Sequence, residues 1–401
     1  MLEYQWPASR TVDVDWRQEN RSGRREDRLV RRIQATVPAQ IADEQPFFSA
    51  NLMAKAERAC LLAVQLDAVA GGQLSSLSSL LLRTESAASS KIEGLAASPS
   101  DFARAAYGSK GNATAVEMVD GAKALQWLVS QAKPGVAIGL EELLHTHEIL
   151  FASDSSAYVQ AGKLRSVQNW IQGSNYSPLG ATHVPPPPEL VPDLMQDLIA
   201  FSNREDLPVL VQAAVAHAQF ENIHPFVDGN GRIGRALVSM ILRRRSVSKV
   251  VTIPLAAALG ANRDHYFECL SQWRLGNAAP IIELFARGIE TASLEASTTA
   301  DLISTLPKLW QERLGPTSAA NLASKALEFL TTQPIFNATD LAVSLGVALT
   351  SAYPALAKLE AADIIRPLTD RTRNQIWGAF EILEELEQLE LRIAARMPNA
   401  T

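Results

Sequence analysis

HPFVDGNGRIGR, residues 224–235, sets three glycines, two arginines, an acid, an amide and a histidine within twelve positions. His224 precedes a proline, and the residue before proline is pushed out of the right-handed helical region. The apolar helix read over about 207–222, with Leu210, Val211, Ala214, Val215 and Ala218 as its stripe, must therefore end just before it. Ile233, Ala236, Leu237, Met240 and Ile241 then recur at helical spacing, which predicts a second helix from about Arg232. His224 thus opens a loop between two helices. Gly229 and Gly231 permit positive φ and close approach to the backbone. Phe226, apolar within a polar loop, is expected to pin the loop to the core.

The chemistry follows from the same positions. A helix start leaves its first N–H groups unpaired and carries the positive end of the dipole. Together with loop N–H groups it forms an anion site. Arg232 and Arg235 are three apart, share a face and offer fork geometry to an oligophosphate. Asp228 is the one acid able to hold Mg²⁺ between phosphates. A histidine beside an electrophilic phosphorus suits the role of general base for an attacking hydroxyl. Taken singly, each feature has a plainer reading: a turn, solvated arginines, a satisfied polar ring. Together in twelve residues they make a bare turn the poorer account.

The rest of the chain sets the bounds. Its 401 residues predict two or three domains, and 47% apolar with 20% charged residues is ordinary for a soluble globular protein. A net charge of −6 argues against a broad nucleic-acid or membrane-binding surface. Two cysteines, Cys60 and Cys269, exclude a disulfide framework and suit a reducing cytosol. With no apolar leader and no run of about 18 apolar residues, a cytoplasmic protein without membrane attachment is expected. The arginine-rich run RQENRSGRREDRLVRRI (17–33) also carries acids and reads as a solvated helix face rather than a nucleic-acid arm. Helices are expected over roughly 50–95, near 115–132 and 140–152, and through 255–295. VQNWI (167–171) reads as a short strand ahead of four consecutive prolines, Pro185 to Pro188, so a strand–turn–strand flap is expected there. His145 and His147, two apart on a helix, point to different faces and make a poor metal pair.

These motifs resemble those of the Fic family, whose pattern is H-x-F-x-[DE]-G-N-G-R-x-x-R. His224, Phe226, Asp228, Gly229, Asn230, Gly231, Arg232 and Arg235 fill every fixed position. Upstream, SSKIEG (89–94) resembles the family's inhibitory motif [ST]-x-x-x-E-[GN], filled by Ser89, Glu93 and Gly94. GKLRSVQNWIQGS and ATHVPPPPELVPDLM, within 162–195, are similar to the family's hairpin and proline tract. ANRDHYF (261–267) is similar to a stretch near the nucleotide base. The likeness extends over about residues 45–380.

The resemblance implies Mg²⁺-dependent transfer of AMP from ATP to a Ser, Thr or Tyr hydroxyl of a protein target, the enzyme itself included. It implies His224 as general base and Asp228 as Mg²⁺ ligand. Gly229, Asn230, Gly231, Arg232, Gly234 and Arg235 would bind phosphates, and Asn262 and Tyr266 would lie near the base; helix packing is the equal alternative for these last two. Glu93 would pair with Arg235 and block productive seating of the γ-phosphate. The flap would register the target's modified loop by main-chain pairing. AMP as the group transferred rests on the family alone, since the loop binds phosphate without reading a base. Removal of AMP from a modified protein, or transfer of UMP or phosphocholine, stays open.

The segment 337–378 reads helix, turn at Gly346, helix and a two-strand wing, which raises a third reading, a winged-helix DNA-binding regulator. Residues 316–401 hold seven basic and ten acidic side chains, so DNA binding would rest on Lys358, Arg366, Arg371 and Arg373, and a protein-docking or homodimerisation module fits at least as well. The expected architecture is mostly α: a helical amino-terminal region with the inhibitory helix (1–105), a Fic-type helical core with a short β-hairpin flap (106–298), and a winged-helix-like domain with a closing helix (316–401).

Overall fold

The computed structural model describes residues 4–18, 22–73, 75–108, 111–154, 156, 159–316, 321–369 and 374–397. In chain order it runs β1 (Arg10–Asp15), α1 (Arg25–Leu29), β2 (Arg32–Val37), α2 (Ala50–Gln73), α3 (Ser75–Ile92), α4 (Pro99–Ala106), α5 (Ala113–Gln131) and α6 (Leu140–Leu150). It continues with α7 (Val191–Ser202), α8 (Val209–Ile223), α9 (Asn230–Arg244), α10 (Leu255–Ala261), α11 (Arg263–Arg274) and α12 (Ala279–Leu314). It closes with α13 (Leu322–Thr332), β3 (Ile335–Asn337), α14 (Ala338–Leu345), α15 (Leu349–Ala361), β4 (Arg366–Pro367), β5 (Ile376–Gly378) and α16 (Phe380–Arg396). The protein is mostly helical, as expected. The chain divides into two compact units of three segments each: Met1–Cys60, Lys123–Val247 and Arg263–Arg287, and then Leu61–Ala122, Ser248–Asn262 and Gly288–Thr401.

The first unit is built around α8. Every residue from Leu210 to Ile223 is buried, where the sequence suggested one apolar stripe. Burial on all sides obliges the polar side chains to find partners. Gln212 Nε2 donates to the carbonyls of Phe201 and Arg204, each at 2.9 Å. Gln219 Nε2 donates to Ala39 O at 2.8 Å, and its Oε1 accepts the Trp273 indole N–H at 3.1 Å. Asn222 Nδ2 donates to Ser9 Oγ at 2.9 Å. The helices α7, α9 and α11 pack on α8. Gly234 permits the close crossing of α9: a Cβ there would lie 2.7 Å from Glu221 Oε1 and 3.0 Å from Phe220 Cδ1. Cys60 and Cys269 are free, and burial pushes their thiols up to about 11 and about 12.

The run 17–33 departs from the helical reading. Strands β1 and β2 form an antiparallel hairpin in which Arg10 lies opposite Val37 and Asp15 opposite Arg32. Among the described residues of the run only Arg25–Leu29 is helical. RIQATV alternates with the two-residue period of a half-buried strand: Ile33, Ala35 and Val37 are buried while Arg32 and Gln34 are exposed. The dense arginines hid that period.

The flap is also less regular than expected. In place of a strand over 167–171 there is one antiparallel bridge, Ile171 to His183. Ile171 N–H donates to His183 O, and Thr182 N–H to Ile171 O, both at 2.9 Å. Side chains occupy the carbonyls a longer ladder would use: Arg165 binds Val167 O, and Gln168 Nε2 binds Asn169 O and Pro185 O. The prolines that follow Val184 have no N–H to offer.

In the second unit, α3 packs with α10, α13 and α16, and one apolar core gathers Trp310, Phe336, Leu341, Leu356, Ile365 and Trp377. A three-stranded antiparallel sheet has the order β3-β5-β4. The elements follow the sequence reading: α14 is capped reciprocally by Asn337 and Asp340, Gly346 turns the chain at φ +64°, and α15 follows. Pro354 lies inside α15 rather than at its start. Arg366 is engaged by Asp363, its Nε 2.9 Å from Oδ1, and by the Phe380 ring at 3.7 Å. Asp370, Arg371 and Arg373 lie outside the described residues. Among the described residues no single helix is long and apolar enough to cross a membrane.

Gln219→Leu leaves the Trp273 indole and the Ala39 carbonyl without their partner inside the first unit. We expect a loss of about 1–3 kcal/mol, read as an earlier urea midpoint by tryptophan fluorescence.

Candidate active site

The motif sits at the end of α8 and the start of α9. His224 is the residue that closes α8, with φ 50° and ψ 62°, and its N–H donates to Phe220 O at 2.8 Å. The sequence placed it outside the right-handed helical region; it lies in the left-handed one, which a side chain other than glycine enters only under constraint. Its Nδ1 stands 3.8 Å from Glu221 Oε2, within ion-pair range when the ring is protonated. The ring is mostly buried, with 17% of the side chain exposed.

The next helix begins two residues earlier than expected, at Asn230. Gly229 takes the cap position with φ +78° and has no side chain to cap with. The first N–H groups of α9 carry the positive end of its dipole. Gly229 needs its missing side chain twice over: a Cβ would meet Leu150 and Phe151 at 2.8 Å. Gly231, by contrast, lies within α9 and has no positive φ among the described backbone angles. Asp228 is exposed, and its Oδ1 accepts the Gly229 N–H at 2.5 Å. Arg232 and Arg235 are buried on α9, the former with its guanidinium carbon 5.4 Å from the Phe151 ring centre.

Several side chains hold this loop in shape: Asn169 Nδ2 donates to Phe226 O at 2.8 Å, and three others do more. Asn230 is one: its Oδ1 accepts the Phe226 N–H at 2.8 Å and its Nδ2 donates to Phe226 O at 2.9 Å. The amide expected to meet phosphate is thus engaged with the loop backbone. Arg165 is the second, 2% exposed. Its Nε donates to His224 O at 2.9 Å, and its terminal nitrogens reach Val167 O, Pro186 O and Ile223 O at 3.1, 2.6 and 3.4 Å. It caps the carbonyl end of α8, where a cation also meets the negative end of the dipole. Burial lowers its pKa to about 10, which leaves it charged.

His147 is the third, and sequence reasoning weighed it only as a metal ligand. Its Nδ1 accepts the Gly162 N–H at 2.9 Å, which places the ring proton on Nε2, 3.1 Å from the Asp228 carbonyl it binds. The ring stacks on Phe226 with centres 4.0 Å apart and planes 11° from parallel. Burial lowers its pKa to about 4, so it stays neutral. Phe226 itself is fully buried, as expected of the pin. The available signal was position: His147 shares the buried face of α6 with Leu143 and Leu150.

The remaining candidates are distributed as follows. Tyr266 is 1% exposed, and its hydroxyl lies 2.7 Å from His217 Nε2, the setting of a packing residue. Asn262 belongs to the second unit, where it follows α10. Ser89, Glu93 and Gly94 belong there too. Leu95 N–H donates to Ser90 O and Gly94 N–H to Lys91 O, each at 3.0 Å, and Gly94 has φ +81°. That pair of bonds is a Schellman closure. Ser89 is buried and Glu93 exposed. Among the described residues no group of three or more His, Cys, Asp or Glu side chains gathers as a metal site.

Residues 137–242 match the model of the Fic/DOC family. This segment carries a Fic domain. The matched Fic segment contains α6, the flap, α8 and most of α9, hence the loop-holding residues as well as the motif. A protein named protein adenylyltransferase Fic, from Drosophila erecta, is 28% identical over 218 residues, 51% of this chain and 41% of that protein. A probable protein adenylyltransferase of Aquifex aeolicus is 34% identical over 110 residues, 27% of this chain and 32% of its own. This chain thus spans less than half the length of either relative. Among solved structures, a Fic family protein from Desulfovibrio desulfuricans G20 has a TM-score of 0.52 at 21% identity, over 84% of this chain and 98% of that one, a likeness of fold.

His147→Ala should raise backbone hydrogen exchange across the 224–229 loop by about tenfold, the loss of a buried hydrogen bond worth about 1–1.5 kcal/mol, while α8 stays protected. Because folding lowers the His147 pKa to about 4, the unfolded chain binds the proton more readily between that value and about 6.5. The stability advantage of wild type over His147→Gln should therefore narrow as pH falls through that window, measured by denaturant midpoints.

Proposed function

We propose that this protein transfers AMP from ATP to a serine, threonine or tyrosine hydroxyl of a protein target, and that Glu93 holds the transfer low. The observation that carries the reading is the placement of His224: a histidine held in the left-handed conformation just ahead of a helix that opens on a glycine cap. That arrangement suits a phosphate held by the start of α9 and by Arg232 and Arg235, with a base beside it. The His224 ring accepts the proton of the target hydroxyl. The freed oxygen attacks the α-phosphorus, and pyrophosphate leaves with its bond electrons. The names of the relatives support AMP as the group moved.

Asp228 fits a magnesium ion of the kind that substrate phosphates bind in part. It is one exposed carboxylate beside the anion loop rather than a closed set of ligands. When bound, the ion offsets charge on the phosphates. Free cysteines suit a reducing compartment, and we place the activity in the cytoplasm.

Glu93 is supported as the brake by its motif and by its position. It stands at the carboxyl end of α3, where a carboxylate opposes the helix dipole at about 0.3–1 kcal/mol and gains from a cationic partner. The Fic resemblance names Arg235 as that partner, and phosphate would compete for the same guanidinium.

Incubation with ATP labelled on the α-phosphate tests the scheme. Glu93→Gly should put about tenfold or more label on protein than wild type, and Glu93→Gly/His224→Ala should lose about 100-fold or more of it. An unlabelled Glu93→Gly protein that still binds ATP normally would refute AMP transfer. Undiminished label in the double variant would refute the base assignment.

A further inference from the structure

The amino-terminal hairpin lies outside the 137–242 segment of the family match, and it forms one wall of a cleft whose other wall is the flap. The cleft has a volume of about 510 Å³ and is lined by β1 and β2 (Thr11, Arg32, Gln34 and Thr36 among them) and by flap residues from Pro178 to Val184. Both ends are fastened. At one end Thr36 N–H donates to Val184 O at 2.8 Å. At the other, Ser177 Oγ donates to Asp27 Oδ1 at 2.7 Å, Gln18 Nε2 donates to Tyr176 O at 3.2 Å, and Trp16 meets Trp170 edge to face at 5.5 Å. The opening between them is therefore preformed.

The wall supplied by β2 is a strand edge. In an antiparallel ladder, residues pointing toward and away from the partner alternate. Thr36 directs its N–H away from β1, so Gln34 and Arg32 direct their N–H and C=O groups the same way. These groups find no backbone partner among the described residues. A row of alternating donors and acceptors is matched by another polypeptide backbone and not by an anion, which leaves the carbonyls unmet. The open edge from Arg32 to Gln34 is about 7 Å long at ~3.3 Å per residue, so it pairs with an extended stretch of about three residues. Charge narrows the choice further. Residues 10–37 hold eight arginines and five acids in a chain of net −6, and Arg32, 69% exposed with its Nε 3.6 Å from Asp15 Oδ1, is the charged side chain lining the cleft.

We propose that this cleft is a target-docking site, in which an extended segment of the protein substrate adds as a strand to β2 at Arg32 and Gln34, with an acidic residue placed against Arg32. The proposal rests on the reading that the substrate is a protein. It assigns target selection to the amino-terminal hairpin in addition to the flap.

Binding without nucleotide separates this proposal from the chemistry. The probe is an array of fluorescein-labelled nine-residue peptides, each with a central serine, threonine or tyrosine and one neighbour held fixed, titrated against the full chain by anisotropy. We expect binding with a preference for aspartate or glutamate at one flanking position, unchanged in His224→Ala. Gln34→Pro removes an outward N–H, the substitution an edge strand tolerates, and should weaken binding about tenfold, the loss of about one backbone hydrogen bond. Gln34→Ala should bind as wild type does, and Arg32→Glu should lose the acidic preference. Peptides N-methylated at alternate backbone positions test the same pairing without altering the protein, and should lose binding in one register only. Equal binding by Gln34→Pro together with indifference to N-methylation would overturn the proposal, as would no binding by any peptide. A dimer by sedimentation that Gln34→Pro dissolves would also overturn it, because a second copy would then own the edge.

Discussion

His224 occupies a backbone conformation that costs a side-chain-bearing residue about 1–3 kcal/mol, and the site depends on what keeps it there. Pro225 excludes the right-handed alternative. Phe220 O accepts its N–H, and the Arg165 guanidinium donates to its carbonyl. The helix leading to it is buried on every side, so the end of α8 has little freedom to shift and relieve the strain. Under the proposed function, a base attached to a frayed helix end would wander by more than the reaction tolerates. Here the strain and the clamp together fix the backbone from which the ring projects.

The same economy runs through the loop that follows. Gly229 turns the chain with positive φ and lets α6 approach, while Asn230 and His147 bind backbone atoms of Phe226 and Asp228. The polar side chains closest to the anion site are mostly occupied with holding it. In the proposed reaction, recognition of a phosphate would fall to the backbone N–H groups of α9, to the dipole behind them and to the two arginines. Donors fixed before the ligand arrives need little reorganisation when charge develops.

Much of this was legible in the sequence because the relevant signals are local. The proline after His224, the glycines and the spacing of Ile233 to Ile241 locate the loop and its two helices to within a couple of residues. Gly94 marked the end of α3, and Gly346 the turn between α14 and α15. What escaped was set by contacts distant in sequence. Arg165 reads as one arginine among many until the chain folds its guanidinium onto the carbonyls of residues some sixty positions on. His147 reads as a stray histidine until Gly162 fixes its tautomer. The run 17–33 was misread for a different reason: abundant arginine suggested a solvated helix, although the alternation of RIQATV carried the correct period. The flap failed as a strand because side chains took its carbonyls, which a count of β-formers does not register.

Arg165 has one more implication. A single guanidinium grips Pro186 O on the flap and both Ile223 O and His224 O beside the base. Any ligand that displaces the proline tract must work against the same group that orients the histidine. Linkage makes any such coupling symmetrical: whatever free energy an occupant of the flap lends to the 224–229 loop, a ligand seated at that loop lends back.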